Sequence, residues 1–314
     1  MRTALVVAAA ISLTGCEFGD IGPSDRYQSD FHYTYDMQPG GKVNAESFNG
    51  GIEISGWDQN KVEITGTKYG SSEALRDAVK IDVHHSSDSV EIRAVKPSSM
   101  QMGNYGARFT LHVPRKAVID RVTTSNGPVK VRDVASAAHL KSSNGAITVT
   151  NVGGDVDAHT SNGAIDAESI AGGATLKSSN GRIRAEGVGG PLEAETSNDP
   201  ITARLDTAPS ATTKLVSSNG AIELTMGSAP KGDIRIETRN SGIKLHLPAN
   251  SSAHIVADTS NGSISSEFSV TSKSEDDEKR KHLNGMIGSG GPNIELSTSN
   301  SSIRILKGVG GSGN

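Results

Sequence analysis

The sequence predicts an all-β fold: a single-stranded parallel β-helix, or β-solenoid, with 18- to 21-residue coils and irregular N-terminal capping strands. Three observations predict it. Ser-Asn-Gly, or a near copy, recurs at a fixed beat. Asn126, Asn144, Asn162, Asn180 and Asn198 stand 18 apart, Asn219, Asn240 and Asn261 follow at 21, and Asn300 comes 39 later. Between these turns small apolar and polar residues alternate, as on half-buried strands. Finally, Ile147, Val156, Ile165, Ala174, Ile183, Leu192 and Ile201 fall every nine positions. A hexapeptide left-handed helix needs an aliphatic residue every six, so that architecture is excluded.

One period, Val156 to Gly173, shows the unit. Val156, Ala158 and Thr160 alternate with Asp157 and His159 as a first strand. Asn162-Gly163 then makes a tight reversal, with positive φ expected at the turn. Ile165 and Ala167 alternate with Asp166 and Glu168 as a second strand, and Gly172-Gly173 closes the loop. One unit buries almost nothing, whereas stacked copies share a narrow core, each strand parallel to its equivalent one period away. The asparagines are thereby expected to form a structural turn ladder, with the 39-residue gap read as one 18- and one 21-residue step. Outward positions stack too, placing Lys177 over Glu195, Asp166 over Arg184, His139 over Asp157 and Glu223 over Lys244. Such pairs set register at a few tenths of a kcal/mol each, roughly.

The remaining elements follow in order. Met1-Arg2-Thr3, the apolar run Ala4 to Leu13, and Leu13-Thr14-Gly15-Cys16 read as a lipoprotein signal peptide, residues 1–15. Cys16 is the only cysteine and the expected lipidation site; the partner it implies is a membrane, held through an N-terminal lipid anchor. Glu17 after it favours the outer membrane, by likeness to known lipoproteins. Residues 16–30 read as a tether. Residues 31–120 read as capping strands, including a degenerate repeat around Asn49-Gly50-Gly51, a capped helix after Ser71-Ser72-Glu73, and a hairpin across Ser86-Ser87-Asp88. Regular coils are expected over 121–306, with a charged insertion at 272–291 leaving the stack, and a flexible tail at 307–314.

Trp57-Asp58, the Ser-Ser-Glu-Ala helix start, the strand ending Val113-Pro114 and the serial Ser-Asn-Gly coils together resemble the bacterial putative-adhesin family of unknown function. The likeness spans roughly residues 31–306 and implies a β-helical fold. It brings no catalytic residues, cofactor or ligand.

Composition and motifs narrow the chemistry. The chain has 314 residues, a formal charge of −4 and no long single-sign block, which argues against nucleic acid as a partner. The nine histidines, His84 and His85 among them, show no metal spacing, and no phosphate loop or nucleophile elbow occurs. No metal and no cofactor are expected. The reading is a non-enzymatic cell-envelope lipoprotein acting as a structural scaffold or adhesive surface, its partner an envelope protein or a polysaccharide. The alternative is a carbohydrate-active β-helix enzyme, lyase or hydrolase-like, using carboxylates such as Asp166 and Glu168. The run without Phe, Tyr or Trp between Phe109 and Phe268 disfavours that alternative. The cap, with Trp57, Tyr69 and Tyr105, is the preferred contact region.

Overall fold

The computed structural model describes residues 25–97, 102–272 and 281–308. Cys16 and the signal peptide lie outside them, as does most of the 307–314 tail. The described residues form two long sheets facing one another across a narrow aliphatic core. In each regular coil the first strand joins one sheet and the second strand joins the other. Val156–Thr160 and Ile165–Ile170 are one such pair. Pairing is parallel and in register: Ile147 stands beside Val129 on one side and Ile165 on the other. The fold is therefore the β-solenoid that the period implies.

Core strands alternate buried and outward residues, and Ile147, Ile165, Ile183, Ile201, Ile222 and Ile243 line up as a fully buried column. Truncating one of these to Ala is expected to cost about 2–5 kcal/mol, by analogy with other buried aliphatics. The outward register is as expected: Lys177 beside Glu195, Asp166 beside Arg184, His139 beside Asp157, Glu223 beside Lys244. Two of these pairs make ion contacts, Lys177–Glu195 at 3.7 Å and Lys244–Glu223 at 3.6 Å. Asp166 instead meets Arg182, and Arg184 meets Glu186 on its own strand.

The order of coils in space departs from their order in the chain at both ends. Coil 42–57 sits between coil 89–114 and coil 118–134. Coil 293–308 sits between coil 234–248 and coil 253–266. The 39-residue gap before Asn300 is therefore not an 18- plus a 21-residue step. Asn300 belongs to a coil inserted one place inward, beside a coil sixty positions earlier.

Both ends carry antiparallel pairings. Tyr27–Asp36 and Lys61–Gly70 add antiparallel to one sheet, and Lys80–His85 adds antiparallel to the other. Helix Glu73–Ala78 packs here; the Ser72 hydroxyl caps it by accepting from the Leu75 N–H at 3.2 Å. At the far end His282–Ile287 runs antiparallel to Ala253–Thr259 and to Val270–Ser272. Three expected boundaries shift accordingly. A strand already begins at Tyr27, inside the expected tether, because Tyr27, Ser29, Phe31, Tyr33 and Tyr35 alternate onto the core. His282–Ile287, within the expected insertion, returns to the sheet. The last strand runs to Gly308, inside the expected tail.

Candidate functional site: the turn ladders and the N-terminal end

The asparagine turns are held by side chains on both surfaces of the turn. On the outside, Asn144 donates its amide to Asn126, Asn162 to Asn144, Asn180 to Asn162, and Asn198 to Asn180, at 2.6–2.7 Å. Asn219 donates to Asn198, Asn240 to Asn219, Asn300 to Asn240, and Asn261 to Asn300, at 2.7–2.8 Å. All nine expected asparagines join one unidirectional amide chain. The column is solvent-exposed rather than buried. Nor do these asparagines adopt positive φ. Among the described non-glycine residues that conformation falls on Asp133, Asn151 and Ser169, which with Gly187 form the bend ending the second strand of successive coils. The asparagines are required for their amides, which accept from one neighbour and donate to the next.

On the inside lies a second column that the Asn-Gly motif concealed. The Thr160 hydroxyl donates to the Gly145 carbonyl of the preceding coil at 3.0 Å and accepts from the Gly163 N–H at 3.2 Å. Ser142, Ser178, Thr196, Thr238, Thr259 and Thr298 likewise donate to a turn carbonyl of the adjoining coil. These hydroxyls satisfy buried backbone groups that the turn leaves without partners. The sequence signal was present: a Ser or Thr stands two before each asparagine. Glycine after the asparagine has its own cause. A Cβ on Gly163 would lie 2.0 Å from the Gly145 carbonyl oxygen.

The aromatic residues gather at the N-terminal end, but not as the expected trio. Tyr69 and Tyr105 are buried, 4% and 8% exposed, and serve packing. The Tyr69 hydroxyl donates to the Asn49 carbonyl at 3.1 Å, and the Arg108 guanidinium lies 4.6 Å from its ring centre. Burial, helped by the Asp25 carboxylate and opposed by Arg108, pushes the Tyr69 phenol up to about 12. Arg108 pairs with buried Asp25, which also accepts from Asn104 at 2.9 Å, pinning the chain just before the first strand. Trp57 stands apart on an outer face. It stacks on His112 at 5.4 Å, and His112 hydrogen-bonds Ser55 at 2.7 Å.

Three half-buried rings, Phe31, Tyr33 and Tyr35, are alternate residues of the first strand. Tyr33 and Tyr35 stack at 6.3 Å, and Tyr35 stacks on His85 at 4.0 Å. With Ile81 and Val83 they close the end of the core. Residues from 31 onward were expected as capping strands; the part of this strand before them, Tyr27 to Asp30, was read as tether.

Elsewhere the faces are flat and charged. Two shallow surface grooves of about 310 Å³ each cross the coils. One is lined by Thr202, Glu223, Lys244 and Arg304; the other by Lys141, His159, Lys177 and Ser179. That volume is at the lower end of small-molecule sites. Asp166 and Glu168 lie on an outer strand face. Among the described residues no group of three or more His, Cys, Asp or Glu is placed to hold a metal ion.

No protein-family model and no curated protein matches the chain. Similar solved structures include a putative cell adhesion protein from Clostridium sporogenes, 11% identical, covering 89% of this chain and 100% of its own, with a TM-score of 0.23. A putative adhesin from Bacteroides fragilis is 11% identical over 88% of this chain and 97% of its own, with a TM-score of 0.43. A putative adhesin from Parabacteroides distasonis is 10% identical over 88% and 97%, with a TM-score of 0.32. At these identities and TM-scores nothing about this chain's function follows from them. The fold assignment rests on its own strand pairing.

Proposed function

We propose that the protein is a non-enzymatic envelope lipoprotein, anchored through Cys16 in the outer membrane and acting as a rigid scaffold or adhesive surface toward an envelope protein or polysaccharide. One observation supports this reading above the others: the coils form an unbroken stack with broad polar faces. Thirteen strands in one sheet correspond to a body about 60 Å long at ~4.8 Å per strand. With Cys16 as the anchor, the tether meets the body at its aromatic end. Nine positions separate Cys16 from Asp25, a reach of at most about 30 Å. In this reading the rings Phe31, Tyr33 and Tyr35 belong to the membrane side, and the opposite end and both faces are the surfaces offered to a partner.

The test uses the mature chain with Cys16→Ala, screened against polysaccharides and peptidoglycan for both binding and product release. Binding without product supports the reading. Cleavage that disappears in Asp166→Asn or Glu168→Gln establishes the carbohydrate-active alternative instead.

A further inference from the structure

The inserted coil 293–308 occupies a place that another part of the chain fits equally well. Ile234, Ile236, Asn240 and Ile243 face Ile294, Leu296, Asn300 and Ile303 across the coil boundary, in each case sixty positions on. Ile255, Ala257, Asn261 and Ile264 stand 21 positions after the same four residues. Twenty-one is the ordinary step of this region, the one that joins Asn219 to Asn240 as spatial neighbours. Coil 253–266 thus carries the register to dock directly on coil 234–248, yet coil 293–308 lies between them.

The cause is visible one strand further out. His282–Ile287 covers the outer edge of Ala253–Thr259 with antiparallel pairing. The last coil, reached through the turn at Gly288, Gly290 and Gly291 with their positive φ, finds that edge taken and enters on the inner side. In a stack that assembled along the chain, 253–266 would close on 234–248 first, and that boundary would then reopen to admit 293–308. While the boundary is open it is a slot lined by two coils, and an identical coil from a second copy fits it in the same register.

We propose that the boundary between coils 234–248 and 253–266 is an interaction surface for a second copy of this chain, which enters by reciprocal exchange of coil 293–308. Rods joined this way are linked through their cores near the C-terminal end, with both outer faces left free. The inference goes beyond the envelope reading and does not depend on it.

Cysteine pairing tests it in a Cys16→Ala background. Lys244 and Arg304 are outward register partners on adjacent strands. Their Cα atoms are about 4.8 Å apart by strand spacing, within disulfide reach. Lys244→Cys and Arg304→Cys chains are unfolded, mixed, refolded together and oxidised. Exchange yields a disulfide-linked dimer containing one of each chain, with mixing after separate refolding giving a several-fold lower yield. The double variant Lys244→Cys/Arg304→Cys, refolded dilute, closes the bond within one chain and so verifies the register. If co-refolding leaves only monomers while the double variant closes its bond, the proposal is overturned. Equal cross-linking of Lys244→Cys to an Arg184→Cys chain, whose site is not a neighbour of Lys244 in any exchanged form, also overturns it.

Discussion

Asn300 donates its side-chain amide to Asn240, sixty residues earlier in the chain, and accepts from Asn261, thirty-nine residues earlier. Asn240 and Asn261, one regular step apart in sequence, are thereby held apart in space. The amide ladder records the true order of the coils, and that order determines which asparagines are interior and which is terminal.

Asn162→Ala removes one donated and one accepted amide bond, to Asn144 and Asn180. The expected loss is about 1 kcal/mol, since each exposed link contributes only a fraction of the usual hydrogen-bond range. Asn300→Ala is expected to match it, being interior in space. Asn261→Ala, which breaks a single link, is expected to cost less. Urea melts of the three variants check the ranking, and equal losses at all three contradict a ladder with a terminal member.

The inner hydroxyl column is the stronger contributor. Thr160→Val keeps the shape but leaves the half-buried Gly145 carbonyl and the N–H of buried Gly163 without partners. A cost of about 1–3 kcal/mol is expected. A Val variant as stable as wild type in chemical denaturation shows the hydroxyls to be dispensable.

Two glycines separate close approach from backbone conformation. Gly163→Ala is expected to destabilise by several kcal/mol or block folding, because its Cβ meets the Gly145 carbonyl and the stack cannot spread. Gly187 has φ +64, and a Cβ there would come no closer than 3.7 Å to its neighbours, at a position that Asp133, Asn151 and Ser169 fill in other coils. Gly187→Asn is therefore expected to lie within about 0.5 kcal/mol of wild type. Thermal melts that place the two substitutions level contradict this account.

Tyr69 gives the N-terminal end an alkaline limit. Its folded pKa, about 12, exceeds the ordinary value of 10.0. The neutral phenol is favoured by folding, so its contribution is complete below pH 10 and is lost as pH rises from 10 through 12. Stability against pH across that window, compared with Tyr69→Phe, is expected to show a steeper fall for wild type. Parallel curves mean the phenol titrates as it does in the unfolded chain.

The anchor reading makes one cellular prediction. Cys16→Ala should move the protein from the membrane pellet to the soluble periplasmic or culture fraction. Retention in the pellet at the wild-type level removes Cys16 as the anchor.

The regular coils were legible because their cause is local. Ile147, Ile165 and Ile183 announce an inward column by their spacing alone, and Asn162-Gly163 announces a turn. The hydroxyl column was hidden in plain sight, because Thr160 reads as an ordinary inward strand residue until its two backbone partners are known. The bend after the second strand was illegible for another reason: Asp133, Asn151, Ser169 and Gly187 are four different residue types solving one conformational problem. The coil order was beyond any pattern reading. Registers of 21 and 60 both match the same four residues, and the strand that occupies the outer edge of Ala253–Thr259, His282–Ile287, lies further along the chain. The cap trio failed because Tyr69 and Tyr105 are rings that the core needed.

The reversed strands at the two ends turn this stack into a ruler. A parallel coil offers the next coil an edge like its own, so nothing within the repeat says where to stop. Lys80–His85 says it at one end, as an outermost strand of opposite direction; at the other, His282–Ile287 reverses direction and is itself closed by Val270–Ser272, so the repeat does not continue past it. Length is then counted in graduations of one strand spacing between two fixed stops. Duplication or loss of an 18-residue unit such as 156–173 rescales the distance between the ends while leaving both stops, and whatever each one touches, unchanged.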